Sequence, residues 1–243
     1  MTLKDLEAYI DGITEDASVK PFFKDWINEA ILQVASDVDL PALRLVTPVS
    51  VTVDDTGWIW PLPANFHKLL FRCGYADLST GQFRKVTVHD RIEDLERRDH
   101  TKVEDRVTRV ATFLQEDPAG GGQRAYLGIY PMPTAPVTLL TWFYQLPVVL
   151  KNPGDVCGCI PPEYHVRVIP PYVIVKNYQF IMDQVVNPSI QGLTYWEGKV
   201  NEGLVGREGG PLGLRYYLAK LHGPPRRTGG RDPMGLNLNN YGY

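Results

Sequence analysis

Two groups of residues in this chain are of the types that chemistry uses. Cys157 and Cys159 flank Gly158, with His165 six positions on. Thiolate and imidazole ligands suit zinc, but a closed site needs four ligands, so His165 and Cys73 would have to arrive from elsewhere in the fold. The plainer reading is reduced thiols acting as small hydrophobes beside a loop. The second group is His89, Asp90, Glu93, Asp94 and His100, inside the segment HDRIEDLERRDHTKVEDR. Acids and bases alternate there along a short helix with only Ile92 and Leu95 to bury, the pattern of a solvated face rather than of an acid–base pair. Gly120, Gly121 and Gly122 lack the Lys-Ser/Thr of a phosphate loop and any GxGxxG spacing, so they read as a turn. No nucleophile elbow, HExxH or dinucleotide fingerprint occurs. The expectation is of no catalytic residue, no cofactor and no metal, with a hydrolase whose residues converge only in space as a remote third reading.

Composition bounds the rest. At 243 residues, the chain is long enough for one large domain or two small ones, burying about 70 to 75% of its extended surface. Three cysteines are too few for a disulfide framework. No apolar run reaches the ~18 residues of a membrane span, and MTLKDLEAYIDG has no basic region leading into an apolar one, so the expected setting is a cytoplasm or a particle assembled there. Residues 1 to 120 carry 14 basic and 21 acidic groups, and residues 121 to 243 carry 11 and 7. That balance does not grip nucleic acid by its phosphates, but it suits a passage through which DNA slides.

The elements follow from periodicity. Thr2 with Asp5 reads as a helix cap, and Leu3, Leu6, Ile10 and Ile13 follow at helical spacing. Pro21 opens a second helix whose Phe22, Phe23, Trp26, Ile27, Ala30, Ile31, Val34 and Val38 make a wide apolar stripe. From Pro41 the period changes to that of strands. Leu45 to Val53 and Trp58 to Trp60 alternate around Asp54–Gly57 and predict a hairpin. WPLPANF is held extended by its prolines, Lys68 to Tyr75 and Phe83 to Val88 pair about Gly81, and Val107 to Gln115 is a further strand. Leu127–Tyr130 and Val137–Tyr144 are dense in β-branched and aromatic residues and predict a second hairpin around Pro131, Pro133 and Pro136. Its second arm is apolar on both faces, Val137, Leu139 and Phe143 against Leu140, Trp142 and Tyr144, and so calls for two covers.

After Cys159 the chain turns helical. Pro161 and Pro162 start a helix that Pro170 and Pro171 are expected to kink or interrupt before Tyr172–Val185 continues. A further helix carries Ile190, Leu193, Trp196, Val200 and Leu204 on one face and predicts an antiparallel helical pair. Leu214–Leu221 adds one or two turns. The fold class is α+β: N- and C-terminal helices bundled together, with a central antiparallel sheet or sandwich. The expected divisions are 1–43 (helices), 44–150 (β-rich, with the charged helix near 90–106), 151–222 (helices) and 223–243 (tail).

That tail, GPPRRTGGRDPMGLNLNNYGY, has five Gly and three Pro and no helical period, so it cannot fold alone. Leu236 and Leu238 alternate with asparagines, which suits a strand added to a partner's sheet edge, and Arg226, Arg227 and Arg231 favour an acidic docking surface. Tyr241 and Tyr243 complete the expected partner-binding set.

Four stretches carry a resemblance: the acidic helix pair ending in WINEAILQVASDVDLPAL, the WPLPANF segment, YLGIYPMPTAPVTLLTWFY, and a helical final third from Pro161. In that order they resemble the head-to-tail adaptor (connector) proteins of tailed bacteriophages, particularly short-tailed ones. The chain departs from the pattern at Pro170-Pro171 and in the charged insert 90–106. The resemblance implies a virion protein of the neck, a ring of twelve copies below the portal that extends the DNA channel and presents a surface to a tail or nozzle protein, assembled in the host bacterial cytoplasm. The same resemblance implies that DNA passes through the channel without sequence-specific binding and that no membrane is involved. A reading from another class is a tail-associated module that recognises a host glycan or protein through Trp58, Trp60 and Trp142.

Overall fold

The computed structural model describes residues 1–14, 17–76, 82–89, 91–116, 122–182, 190–207, 210 and 212–222. The described chain forms two compact units, one of Met1–Arg44 with residues 144–222, the other of Leu45–Phe143. The architecture is α+β, as the periodicities require.

In the helical unit, α1 (Leu3–Thr14) begins at a capping box. Thr2 Oγ1 accepts the Asp5 amide at 3.2 Å and Asp5 Oδ2 accepts the Thr2 amide at 2.9 Å, satisfying amides that the helix leaves without partners. Leu3, Leu6 and Ile10 form the buried stripe, while Ile13 stays partly exposed. A 3₁₀ turn at Lys20–Phe22, with Pro21 where a missing N–H costs nothing, leads into α2 (Phe23–Asp37). Its Phe23, Ile27, Ala30, Ile31 and Val34 are buried, and Trp26 lies 5.6 Å from Phe22 and edge-on to Phe180 at 5.8 Å.

Residues 162–164 form a 3₁₀ turn into α4 (His165–Met182), which is the unit's central helix. Both α1 and α2 pack on it. The helix runs through Pro170 and Pro171, so the expected interruption is corrected. Prolines there remove the donors that would bond the carbonyls of Val166 and Arg167, but Val168, Ile169, Val173 and Ile174 are almost fully buried, so packing on several sides holds the backbone helical. Next, α5 (Ile190–Val205) lies antiparallel to α4, with Gly203 beside Arg167 and Gly192 beside Tyr178. Gly206, at φ +99°, turns the chain toward α6 (Leu214–His222).

The β unit holds β1 (Val49–Val53), β2 (Ile59–Pro61), β3 (Phe66–Ala76), β4 (Phe83–His89), a one-turn α3 (Glu93–Glu96), β5 (Val103–Glu104), β6 (Arg109–Glu116), β7 (Gln123–Tyr130), β8 (Met132–Pro133) and β9 (Val137–Gln145). Seven strands make one sheet in the order β1-β9-β3-β4-β6-β7-β2, and β5 pairs with β8 separately. The expected pairing of β3 with β4 occurs, with Cys73 opposite Val86. Both other expected hairpins are corrected. β7 pairs with β6 from Arg109↔Tyr130 to Glu116↔Gln123, and β9 pairs with β1 from Val49↔Thr141 to Val53↔Val137. Likewise β1 does not pair with β2, which takes the far side of β7, Ile59 opposite Gly128. β4 and β6 run parallel, which needs a crossover, and the charged α3 segment is that crossover.

Leu139, Thr141 and Phe143 of β9 face the core with Val51, Val53, Leu62 and Cys73, while Leu140, Trp142 and Tyr144 opposite are half-buried. β7 is the strand covered on both faces. Residues 125–129 are all buried, and Gly128 lets Ile92 and Leu95 of the α3 segment lie where a Cβ would stand.

Candidate functional site

The chemistry-bearing residues are placed apart. Cys157 and Cys159 bring their Sγ atoms to 3.6 Å in the helical unit, and the hydrogen bond from Cys159 lowers the Cys157 thiol to about 7. His165 belongs to the same unit, but both its nitrogens are engaged: Nε2 stands 2.8 Å from the Ile160 carbonyl and Nδ1 3.1 Å from the Met1 amine. Burial depresses its basicity. Cys73 lies in the core of the β unit, its thiol pushed up to about 12 by burial. Among the described residues no three His, Cys, Asp or Glu side chains are arranged to hold a metal ion.

The charged segment is a scaffold. His89 Nδ1 is 3.5 Å from Asp94 Oδ2, and His100 stacks on Trp58 with centroids 4.0 Å apart. Lys102 pairs with Glu104 on the exposed surface, and Asp99 caps Thr101 at 2.9 Å. Glu93 is exposed on α3, Asp90, Gly120 and Gly121 lie outside the described residues, and Gly122 takes φ +88° at the β6–β7 turn.

The three tryptophans considered for recognition are tied into the β unit. Trp58 is stacked on His100, Trp60 donates Nε1–H to the Gly57 carbonyl at 3.1 Å, and Trp142 carries the Arg72 guanidinium at 4.6 Å, with Phe83 edge-on at 5.9 Å. All three are half-buried. The partner-binding set Arg226, Arg227, Arg231, Leu236, Leu238, Tyr241 and Tyr243 lies outside the described residues.

What the sequence reading missed is a cleft. The sheet's two terminal strands, β1 and β2, line one open cavity of about 300 Å³, walled by Ser50–Thr52, Trp60–Pro63 and Arg124. A strand's face contributes every second residue, whereas its edge contributes consecutive ones. Ser50, Val51 and Thr52 are consecutive, as are residues 60 to 63, so the cavity is bounded by two strand edges. Pro61 and Pro63 were the available signal, because proline in a sheet is confined to edges and bulges.

No helix of the described residues is long and apolar enough to cross a membrane. No curated protein matches the chain. A family does: the pattern described as SU10 adaptor protein fits residues 1–208, which takes in the β unit and all of the helical unit through α5. With helices on either side of the β unit in sequence, and the match running along most of its length, the chain belongs to the SU10 adaptor protein family and is a bacteriophage adaptor.

Proposed function

We propose that this adaptor forms a ring, of twelve copies by resemblance, in the neck of the virion beneath the portal, where it extends the DNA channel and offers a surface to the tail or nozzle. The observation that carries the reading is the family match over residues 1–208. Further support comes from apolar side chains left in water: Val148 is 84% exposed, Val149 55% and Leu146 40% within one short stretch of the helical unit. Such a run is the kind of surface that a neighbour covers. The role is structural, with no reaction assigned, and DNA passes without sequence-specific contact. The mildly acidic first half of the chain limits adhesion of the phosphate backbone.

In a ring each copy presents one surface to a different surface of the next, so the helices at both ends of the sequence are assigned to the ring body. The tail with Arg226, Arg227, Arg231, Leu236, Leu238, Tyr241 and Tyr243 is assigned to the portal or an adjacent subunit. Assembly takes place in the host bacterial cytoplasm.

Native mass spectrometry of the purified protein, alone and with portal protein, tests the reading. The expected species is a ring of about 330 kDa, twelve times the 27.4 kDa chain. A 27.4 kDa species that persists with portal and tail proteins present would refute it. Deletion of residues 223–243 is expected to leave folding intact and abolish joining to the neck. Unimpaired particle assembly after that deletion removes the tail from the account.

A further inference from the structure

Resting on the adaptor reading, we propose that the cleft between β1 and β2 accepts a strand, and that its occupant is the segment Leu236–Asn240 of a second copy of this chain. The cleft is a place where the sheet stops short of closing. β1 is hydrogen-bonded to β9 on one side, β2 to β7 on one side, and among the described residues no strand pairs with the other edge of either. Open edges of this kind pair with any extended chain of suitable pattern.

The pattern required can be read from β1. Val51 and Val53 point into the core, 8% and 0% exposed, while Ser50 and Thr52 face water. A strand laid alongside must therefore be apolar on alternate residues and polar on the others, over about five residues, the length of β1. Leu236-Asn237-Leu238-Asn239 meets the alternation over four residues, and Asn240 ends the segment on the leucines' face. Its leucines would join Val51 and Leu62, and Asn237 and Asn239 would continue the row of Ser50 and Thr52. Neither Pro nor Gly interrupts it, so each of its residues carries an N–H for a ladder.

Reach permits an intermolecular contact. Between His222, the end of α6, and Leu236 stand residues 223–235, which extended span about 45 Å. A tail on one surface entering a cleft on a different surface of the next copy is a heterologous contact, the type that closes into a ring. Such a contact requires no second sequence.

The test uses the full chain carrying a photo-activated benzophenone amino acid at Asn239, an outward position of the segment. Irradiation of the assembled protein is expected to yield covalent dimers and higher ladders on a denaturing gel, with peptide mapping placing the linkage at residues 50–53 or 60–63. The additional pair Leu236→Asp and Leu238→Asp is expected to cut the yield about tenfold or more, since each would bury a carboxylate. The control Lys85→Ala, exposed on β4 and outside both the tail and the cleft, is expected to leave it unchanged. Linkage to the cleft without a ladder means that the strand comes from its own chain and overturns the proposal. Linkage elsewhere, to another virion protein or none at all also overturns it. A ring that forms without the cleft linkage leaves the adaptor reading standing, whereas a chain that never assembles with its neck partners fails both.

Discussion

The backbone of Gly203 on α5 lies against the carbonyl oxygen of Arg167 on α4, so close that a Cβ at position 203 would collide with it. In an uninterrupted helix the Arg167 carbonyl accepts the amide of residue 171, but residue 171 is Pro171 and has no amide. The acceptor freed by the proline is met by a neighbouring backbone, an approach only glycine allows and one that suits weak Cα–H···O contact. The double proline of α4 and the glycine of α5 are one device.

Gly203→Ala is therefore expected to destabilise the protein by about 1–3 kcal/mol, as overpacking does. Gly198→Ala, on the same helix with nothing within 4 Å of its Cβ, is expected to stabilise by about 0.5–1 kcal/mol, because alanine is the better helix former. Thermal unfolding of the two variants should shift in opposite directions. Equal shifts would mean that the contact is not restrictive.

Asn28 on α2 acts as a false strand residue. Its Nδ2 donates to the Leu150 carbonyl at 3.0 Å and its Oδ1 accepts the Leu150 amide at 2.8 Å, fixing the segment that buries Leu150 in the helical core. Asn28→Ala strands both backbone groups at a cost of about 1–3 kcal/mol. Asn28→Asp keeps the acceptor and loses the donor, so chemical denaturation should rank it between wild type and alanine.

The three thiols should react on different schedules. Cys157, lowered to about 7 by the Cys159 hydrogen bond but buried, should alkylate more slowly than an exposed cysteine, at a rate that rises to half its maximum near pH 7. Cys73, pushed up to about 12 and buried, should stay unlabelled until the β unit unfolds. Peptide mapping after brief iodoacetamide treatment distinguishes them, and equal labelling of Cys73 and Cys157 in native protein contradicts the placement.

His165 gives stability a pH dependence. Burial holds its folded-state pKa below the unfolded value of about 6.5, so the unfolded chain binds the proton more readily. Its contribution is complete above about pH 6.5 and is lost as pH falls through the folded pKa. Denaturant midpoints measured from pH 8 to pH 5 should fall more steeply in wild type than in His165→Gln. Parallel curves would assign the acid sensitivity to other groups.

The sequence by itself determined the elements. The stripe Phe23, Ile27, Ala30, Ile31, Val34 specifies α2 because a 3.6-residue period has one face to bury, and the Thr2/Asp5 cap marks where α1 begins because both partners lie within one turn. The same locality exposed the 89–106 segment as a solvated scaffold, since its alternating charges leave only Ile92 and Leu95 to pack. Tertiary structure decided who pairs with whom. β7 and β9 are separated by six residues and look like two arms of a hairpin, yet each finds its partners elsewhere in the chain. A strand's own residues fix which face is apolar, but its edges are backbone, alike in every strand, so the choice of neighbour falls to the packing of the whole sheet. Pro170 and Pro171 read locally as a break for the same reason: what holds α4 helical is the ring of buried contacts around it, and no stretch of sequence contains its own surroundings.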